Sequence, residues 1–230
     1  RESRVSLPNH EDTIDNLALS EIAGRPLLDY SITESLASTH IDRLIVSTED
    51  YEIAKISRDL GAEVPFMRED ELSDSTTQLW EVVESILYKI DSDDQPDIIV
   101  ILPYVTPLRT ADQIDEAVDT SLMFSVDSVI SVYENKRFLW RPGKYGLEPL
   151  FEKRLLRRDR ETTYHENGAI YVTKPETVRN QGELIGQHVG HILMQNKNSV
   201  HIDSWFDYKT CEDALSEGRI VYDNDELNNV

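Results

Sequence analysis

Two arginines stand within the first four residues of "RESRVSLPNH", at the head of a strongly acidic chain. Its 230 residues carry 44 Asp and Glu against 23 Lys and Arg, a formal net charge of −21. A protein this negative can hold an anionic substrate only where its few cations gather. Arg1 and Arg4 form one such gathering. Another is "NKRFLWRPGKYGLEPLFEKRLLRRDRETTY", which contains nine basic residues. The acids are spread along the chain, as on a solvated acidic face or in adaptation to high salt, and Arg outnumbers Lys. Such a surface repels phosphate backbones, so no nucleic-acid partner is expected.

Other reactive residue types carry less. His188 and His191 in "HVGH" lie three apart in what reads as extended chain, so they face opposite sides and share no ion. Cys211 is the single cysteine, with no His or Asp partner evident in sequence, and it can form no intrachain disulfide. That cysteine usage favours a reducing compartment. No apolar run is long enough to span a bilayer and no signal peptide is visible, so a soluble, cytoplasmic protein without a membrane partner is expected.

The elements that must position these groups alternate in type. "RLIVST" (43–48) reads as a strand, and "DYEIAKISRDLG" (50–61) as a helix capped by Asp50 and ended at Gly61. "TTQLWEVVESILYKI" (76–90) has apolar residues at helical spacing, with Trp80 on the core face. "DIIVILP" (97–103) is a near-continuous apolar run, as in a strand buried on both faces. "RTADQIDEAVDTSLM" (109–123) reads as a helix and "SVISVYE" (128–134) as a strand. The basic stretch then leaves the sheet, "GAIYVTKPE" returns as a strand, and "SVHIDSWFDYKTCEDAL" reads as a strand turning into a last helix. "VYDNDELNNV" is a polar tail. The alternation implies one α/β domain over residues 1–230, with a mainly parallel sheet and helices on both faces. Ligands of open parallel sheets bind beyond the carboxyl ends of the strands, which directs attention to "STED", "PYVTPLR", "ENKRF" and "YHENGAIYV". A further strand ending just before Arg1 is expected to supply one more such loop.

Several segments, in order, resemble the acylneuraminate cytidylyltransferases. They are "EIAGRPLLDYSI", "RLIVSTEDYEIAKISRDLGAEVPFMREDEL", "TPLRTADQIDEAV", "LEPLFEKRLLRRD", "YHENGAIYV" and "SVHIDSWFDY", together spanning most of the chain from Ile22 to Asp207. The resemblance implies a Rossmann-like nucleotidyltransferase fold. It also implies a reaction in which the anomeric hydroxyl of a nine-carbon 2-keto sugar acid attacks the α-phosphate of CTP and expels pyrophosphate. The sugar would be sialic, legionaminic or pseudaminic acid-like.

The same resemblance distributes roles. The opening loop, with Arg1, Ser3, Arg4 and Asn16, would grip the triphosphate, with "HEDTID" inserted before Asn16. Backbone N–H groups and fixed cations are how a sheet edge holds phosphates, and the planar fork of Arg differs there from the point charge of Lys. Arg4 would act catalytically. Arg68, Ser75 and Thr76 would line the nucleotide side. Arg109, Arg157, Arg158, Asn167 and Tyr171 would bind the sugar acid, although Arg109 also suits a role bracing the following helix. Asp203 and Asp207 would hold Mg2+, with Asp203 catalytic. Residues 136–163 would form an excursion that mediates a homodimer.

Two positions depart from the family pattern. His201 stands where the family has the first Asp of its metal-binding stretch, and a neutral imidazole is a poor ligand for a hard cation. Pro103 stands where the family has Gln, and it donates no hydrogen bond. These leave a second reading open beside the enzyme: a weak or inactive relative that binds nucleotide or sugar nucleotide and dimerises.

Overall fold

Capping chemistry sets the helices. The computed structural model describes residues 16–216 apart from Ser75 and Asp91; Arg1, Ser3, Arg4, Ser75 and the acidic tail lie outside the described residues. A 3-10 turn at Leu17–Leu19 leads into a two-stranded ribbon, β1 (Glu21–Ile22) and β2 (Arg25–Pro26), and then α1 (Leu27–Ala37). In α2 (Tyr51–Asp59) the Asp50 carboxylate accepts from Glu52 N at 2.7 Å and Ile53 N at 3.0 Å, satisfying two free N–H groups of the first turn. Gly61 ends the unit at φ 102°, a left-handed position that suits a residue without Cβ. There follow α3 (Leu79–Lys89), β3 (Ile99–Ile101) and α4 (Ala111–Phe124), the last capped by Thr110. Trp80 is half-buried rather than enclosed, and faces Gly182.

The remaining elements are β4 (Ser128–Asn135), a hairpin of β5 (Trp140–Gly143) and β6 (Gly146–Pro149), β7 (Thr163–Thr173), α5 (Pro175–Gln181), β8 (Val189–Leu193) and α6 (Trp205–Ser216). The main sheet runs β3-β7-β4-β8. Only β4 and β8 pair in parallel; β7 is antiparallel to both its neighbours, so the described sheet is mixed. The cause is the basic excursion, which leaves from β4 and returns as its antiparallel neighbour. A helix on α4's side covers one face of β3, where Val100 joins Ile114, Val118 and Val129. On the other face Ile99 and Ile101 join Val83, Leu87 and Val178 from α3 and α5.

Two expected strands differ. Residues 43–48 make a single parallel bridge, Ile45 to Glu63, and do not join the main sheet. The stretch before α6 is irregular, tied by Ile202 N to Val105 O at 2.9 Å instead of by a ladder. The apolar run 98–102, expected to be buried on both faces, is half-buried throughout. His188, just before β8, and His191 within it do part company: His188 Nδ1 lies 3.2 Å from Asp127, and His191 packs on the Tyr164 ring at 5.0 Å.

Of residues 136–163, all but Thr163, which opens β7, sit outside the main sheet, and they carry a small core of their own. Phe138 and Phe151 meet at 4.5 Å, Trp140 packs edge-on against Phe151, and the Arg160 guanidinium lies 3.8 Å from the Phe138 ring centroid. Trp140, Leu147, Leu150, Leu155 and Leu156 remain exposed. Among the described residues no helix is long and apolar enough to cross a membrane.

Candidate active site

A bulge in β7 creates the site's central feature. Ile130 pairs with Tyr171 and Val132 with Glu166, so residues 167–170 stand opposite Ser131 alone. The missing ladder bonds are replaced by side chains. Ser131 Oγ donates to Asn167 Oδ1 at 2.5 Å and accepts from Ile170 N at 2.8 Å, while Ala169 N donates to the same Asn167 oxygen at 3.1 Å. Asn167 Nδ2 reaches Ser199 Oγ at 2.9 Å. Asn167 is therefore buried and engaged at both ends of its amide, holding the bulge rather than facing a ligand.

The bulge gives Gly168 a φ of 68°, and a Cβ there would come within 3.4 Å of His201 and 3.6 Å of the Tyr171 hydroxyl. Tyr171 donates to Glu166 at 2.6 Å. Burial first, and then this carboxylate, push the Tyr171 phenol far above its ordinary range, so it stays a neutral donor. His201 Nδ1 lies 3.1 Å from Asp203 Oδ1 but out of hydrogen-bond alignment, and so is buried without a partner. Tyr171, Glu166, His201 and Asp203 thus collect beside Gly168. The bond from Ile202 N to Val105 O brings the "PYVTPLR" loop to the same place. Leu17, Leu108, Ile202 and Cys211 pack in one cluster beneath it, so Asn16, left-handed at φ 53°, also enters at this end of the fold.

Arg109 does not face this space. It is 1% exposed, and its guanidinium donates to Pro103 O at 2.9 Å, Thr106 O at 2.7 Å, Thr106 Oγ1 at 2.7 Å and to Ser31 Oγ. Burial pushes it down to about 9, with Glu34 pulling the other way, and it remains charged at neutral pH. Its place is to brace the 103–109 loop against α1, which is neither the ligand role nor the contact with the following helix that the sequence suggested. Pro103 contributes the carbonyl that this brace holds.

Arg68 pairs with Glu49 and donates to Ser73 Oγ at 3.2 Å. Burial raises the Glu49 carboxyl, but Arg68 outweighs it and holds the group below its usual range. Thr76 closes a turn on Asp74, with N and Oγ1 at 3.0 and 3.2 Å from Oδ1. Arg157 and Arg158 lie on an exposed 3-10 turn, Arg158 3.6 Å from Asp159. The structure does not bring these two to the Tyr171–His201 group by any contact within the chain.

Ser204 caps α6 by accepting from Asp207 N at 3.3 Å, while Asp207 Oδ2 accepts from Ser204 Oγ at 2.6 Å and from Asp203 N at 3.3 Å. Asp203 is left as the exposed carboxylate. Among the described residues no three His, Cys, Asp or Glu side chains converge as metal ligands. Asp203 and Asp207 supply two carboxylates, the kind of set that can hold Mg2+ together with substrate phosphates and water, while the imidazole of His201 adds no hard oxygen ligand.

Sequence reasoning passed over Glu166, Glu49 and Ser131. Glu166 and Glu49 stood inside the very loops singled out by position, "YHENGAIYV" and "STED". Ser131 gave no signal, because only the bulge turns a strand serine into a substitute for backbone.

A cytidylyltransferase family profile matches residues 14–137. The chain is 25% identical over 202 residues to the CMP-N,N'-diacetyllegionaminic acid synthase of Legionella pneumophila, covering 84% of this chain and 87% of that protein. It is 27% identical over 158 residues to the pseudaminic acid cytidylyltransferase of Campylobacter jejuni, covering 66% and 68%. It is 28% identical over 203 residues to N-acylneuraminate cytidylyltransferase A of Danio rerio, covering 84% of this chain and 46% of that longer protein. In fold it is similar to a CMP:2-keto-3-deoxy-manno-octonic acid synthetase solved with CTP, with a TM-score of 0.65, 10% identity, and coverage of 89% and 93%. A 4-diphosphocytidyl-2C-methyl-D-erythritol synthase from Anaerococcus prevotii gives a TM-score of 0.62 at 12% identity, covering 85% and 88%.

Proposed function

Because the chain belongs to the cytidylyltransferase family, we propose that it joins CMP from CTP to a nine-carbon 2-keto sugar acid and releases pyrophosphate. The observation that carries this reading is the β7 bulge, which sets Tyr171, Glu166, His201 and Asp203 together at one end of the fold. In this reading the anomeric hydroxyl attacks the α-phosphorus, and the bond to the β-phosphate oxygen breaks as pyrophosphate leaves. Asp203, open to solvent beside His201, takes up the hydroxyl proton. Tyr171, kept neutral with its proton held by Glu166, adds no negative charge of its own beside the bound anion. Arg1 and Arg4 would neutralise the triphosphate; the resemblance in sequence supports that role, and both lie outside the described residues. Positioning and charge neutralisation dominate chemistry of this kind.

Incubation with CTP, Mg2+ and a panel of 2-keto sugar acids, followed by mass spectrometry, tests the proposal. A CMP-sugar and pyrophosphate in equal amounts are expected with at least one acceptor. Measurable CTP binding with no product from any acceptor would favour the second reading, a nucleotide-binding relative without turnover. The departures from the family pattern at His201 and Pro103 are what keep that reading alive.

The excursion would supply a dimer contact. Its exposed Trp140, Leu147, Leu150 and Leu156 are what a second copy would cover. Sedimentation equilibrium should give twice the chain mass, and Leu147→Asp with Leu156→Asp should give the monomer.

A further inference from the structure

Among the described residues, three imidazoles stand close to a carboxylate, and His201 differs from the other two. His40 Nε2 lies 2.9 Å from Asp119 Oδ1 and His188 Nδ1 lies 3.2 Å from Asp127 Oδ2, each pair aligned for a hydrogen bond. His201 Nδ1 comes as near to Asp203 Oδ1, at 3.1 Å, but the two are out of alignment. That nitrogen is buried and has no other partner. A buried polar atom without a bond is uncommon and asks for an explanation. A nitrogen and a carboxylate that stand together without addressing each other are free to address a third atom.

The backbone holds the pair in this attitude. Ile202 N is tied to Val105 O at 2.9 Å, and Ile202 is buried in the cluster beneath. Asp203 N donates to His201 O at 3.2 Å, a three-residue turn that draws together the side chains on either side of Ile202. The imidazole lies against the bare backbone of Gly168, where a Cβ would stand 3.4 Å from its Cδ2. The Asp203 carboxylate is 78% exposed, so the pair opens to solvent on that side. Its spacing suits one shared ion. With bonds of about 2.2 Å, neighbouring ligands of an octahedral cation stand about 3.1 Å apart.

We propose that His201 is a metal ligand together with Asp203, and that the site takes a divalent first-row transition ion in preference to Mg2+. The inference deepens the catalytic reading and rests on it for the substrate phosphate that, with water, fills the rest of the shell. Phosphate and water do so at many sites that offer a cation only one or two side chains, so no third converging ligand is needed. The preference follows from the donors. Mg2+ seeks oxygen and gives up water reluctantly, whereas first-row transition ions accept imidazole nitrogen, with affinity rising from Mn2+ to Cu2+. A neutral imidazole in place of a carboxylate also removes a negative charge, on which attraction of the harder ion depends most. His40 and His188 offer no equivalent site, because the nitrogen facing each carboxylate is already bonded to it.

Mn2+ is the probe. It binds most weakly of the series, so a preference shown by Mn2+ sets the minimum for the class. Loss of the free-ion signal in electron paramagnetic resonance measures Mn2+ bound to the full chain, alone and with CTP in the absence of sugar acid. Competition by Mg2+ gives the ratio of affinities, and pulsed spectra report a directly coordinated nitrogen. The wild type is expected to bind Mn2+ at least about tenfold more tightly than Mg2+, with an imidazole nitrogen coupled to the ion. His201→Asn should lose that coupling. His201→Asp should lose it too, and its ratio should fall toward parity as Mg2+ gains an oxygen ligand. Absence of nitrogen coupling under both conditions would overturn the proposal, as would a ratio unchanged in His201→Asp. Coupling that survived in His201→Asn would also overturn it, by placing the ion at another histidine. Turnover is read separately: nitrogen coupling without a CMP-sugar from any acceptor keeps this site and removes the catalytic reading, and product without the coupling does the reverse.

Discussion

Replacing Arg109 by Met asks whether this guanidinium holds the 103–109 loop or a ligand. In the fold it donates to Pro103 O, Thr106 O, Thr106 Oγ1 and Ser31 Oγ while fully buried. Without it, Pro103 O keeps the Thr106 hydroxyl at 2.9 Å, but Thr106 O and Ser31 Oγ each lose a charged donor. Two such bonds at about 1.5–3 kcal/mol give a gross loss of about 3–6 kcal/mol. Removing a buried charge, whose Nε has no partner, returns part of that. The expected net destabilisation is about 3 kcal/mol. At a urea m-value of about 2 kcal/mol/M, the unfolding midpoint should fall by about 1.5 M. Arg109→Lys keeps the charge without the planar fork and should also lose stability, though less. A midpoint unmoved within about 0.3 M, together with lost CTP or sugar binding, would refute the bracing role and return Arg109 to the ligand.

Asn167→Ala should cost about 2–3 kcal/mol in urea unfolding, because it strips Ser131 Oγ, Ala169 N and Ser199 Oγ of a partner inside the bulge. Asp115 supplies an acid-range test. Burial pushes its carboxyl up, but bonds from Ser38 and Thr39 outweigh that and hold it below the usual range. The unfolded chain therefore takes up this proton first. The contribution is complete above the unfolded value of about 3.9 and fades as pH falls through the lower folded value, so wild type and Asp115→Asn should differ at pH 7 and converge in strong acid. Cys211 is buried, with its thiol pushed up to about 12 by burial and then by Asp207, so aromatic disulfide reagents should label it only on unfolding. His201→Asp places a second carboxylate beside Asp203, and Mg2+ affinity measured by calorimetry should rise by about tenfold or more.

Local chemistry was legible in the linear chain. Asp50 as a cap, Gly61 as a stop, the helices over 79–89 and 111–124, and the histidines of "HVGH" facing apart all depend on neighbours within a few residues. The ordered motifs also sufficed to indicate the family, since each is a short contiguous pattern. What the sequence withheld was long-range. Which way β7 runs depends on the excursion between it and β4, and nothing in "GAIYV" states a direction. Whether "RLIVST" becomes a ladder or a single bridge depends on what lies beside it. Arg109 and Asn167 read as binding residues because Arg and Asn are what anionic and hydroxylated ligands require. Only the tertiary structure shows both Arg109 terminal nitrogens and both ends of the Asn167 amide already engaged, by Ser31, Pro103, Ser131 and Ser199 among others, up to 78 positions away in the case of Arg109. A side chain's type sets what it can bond. Burial decides whether any of that capacity is left for a ligand.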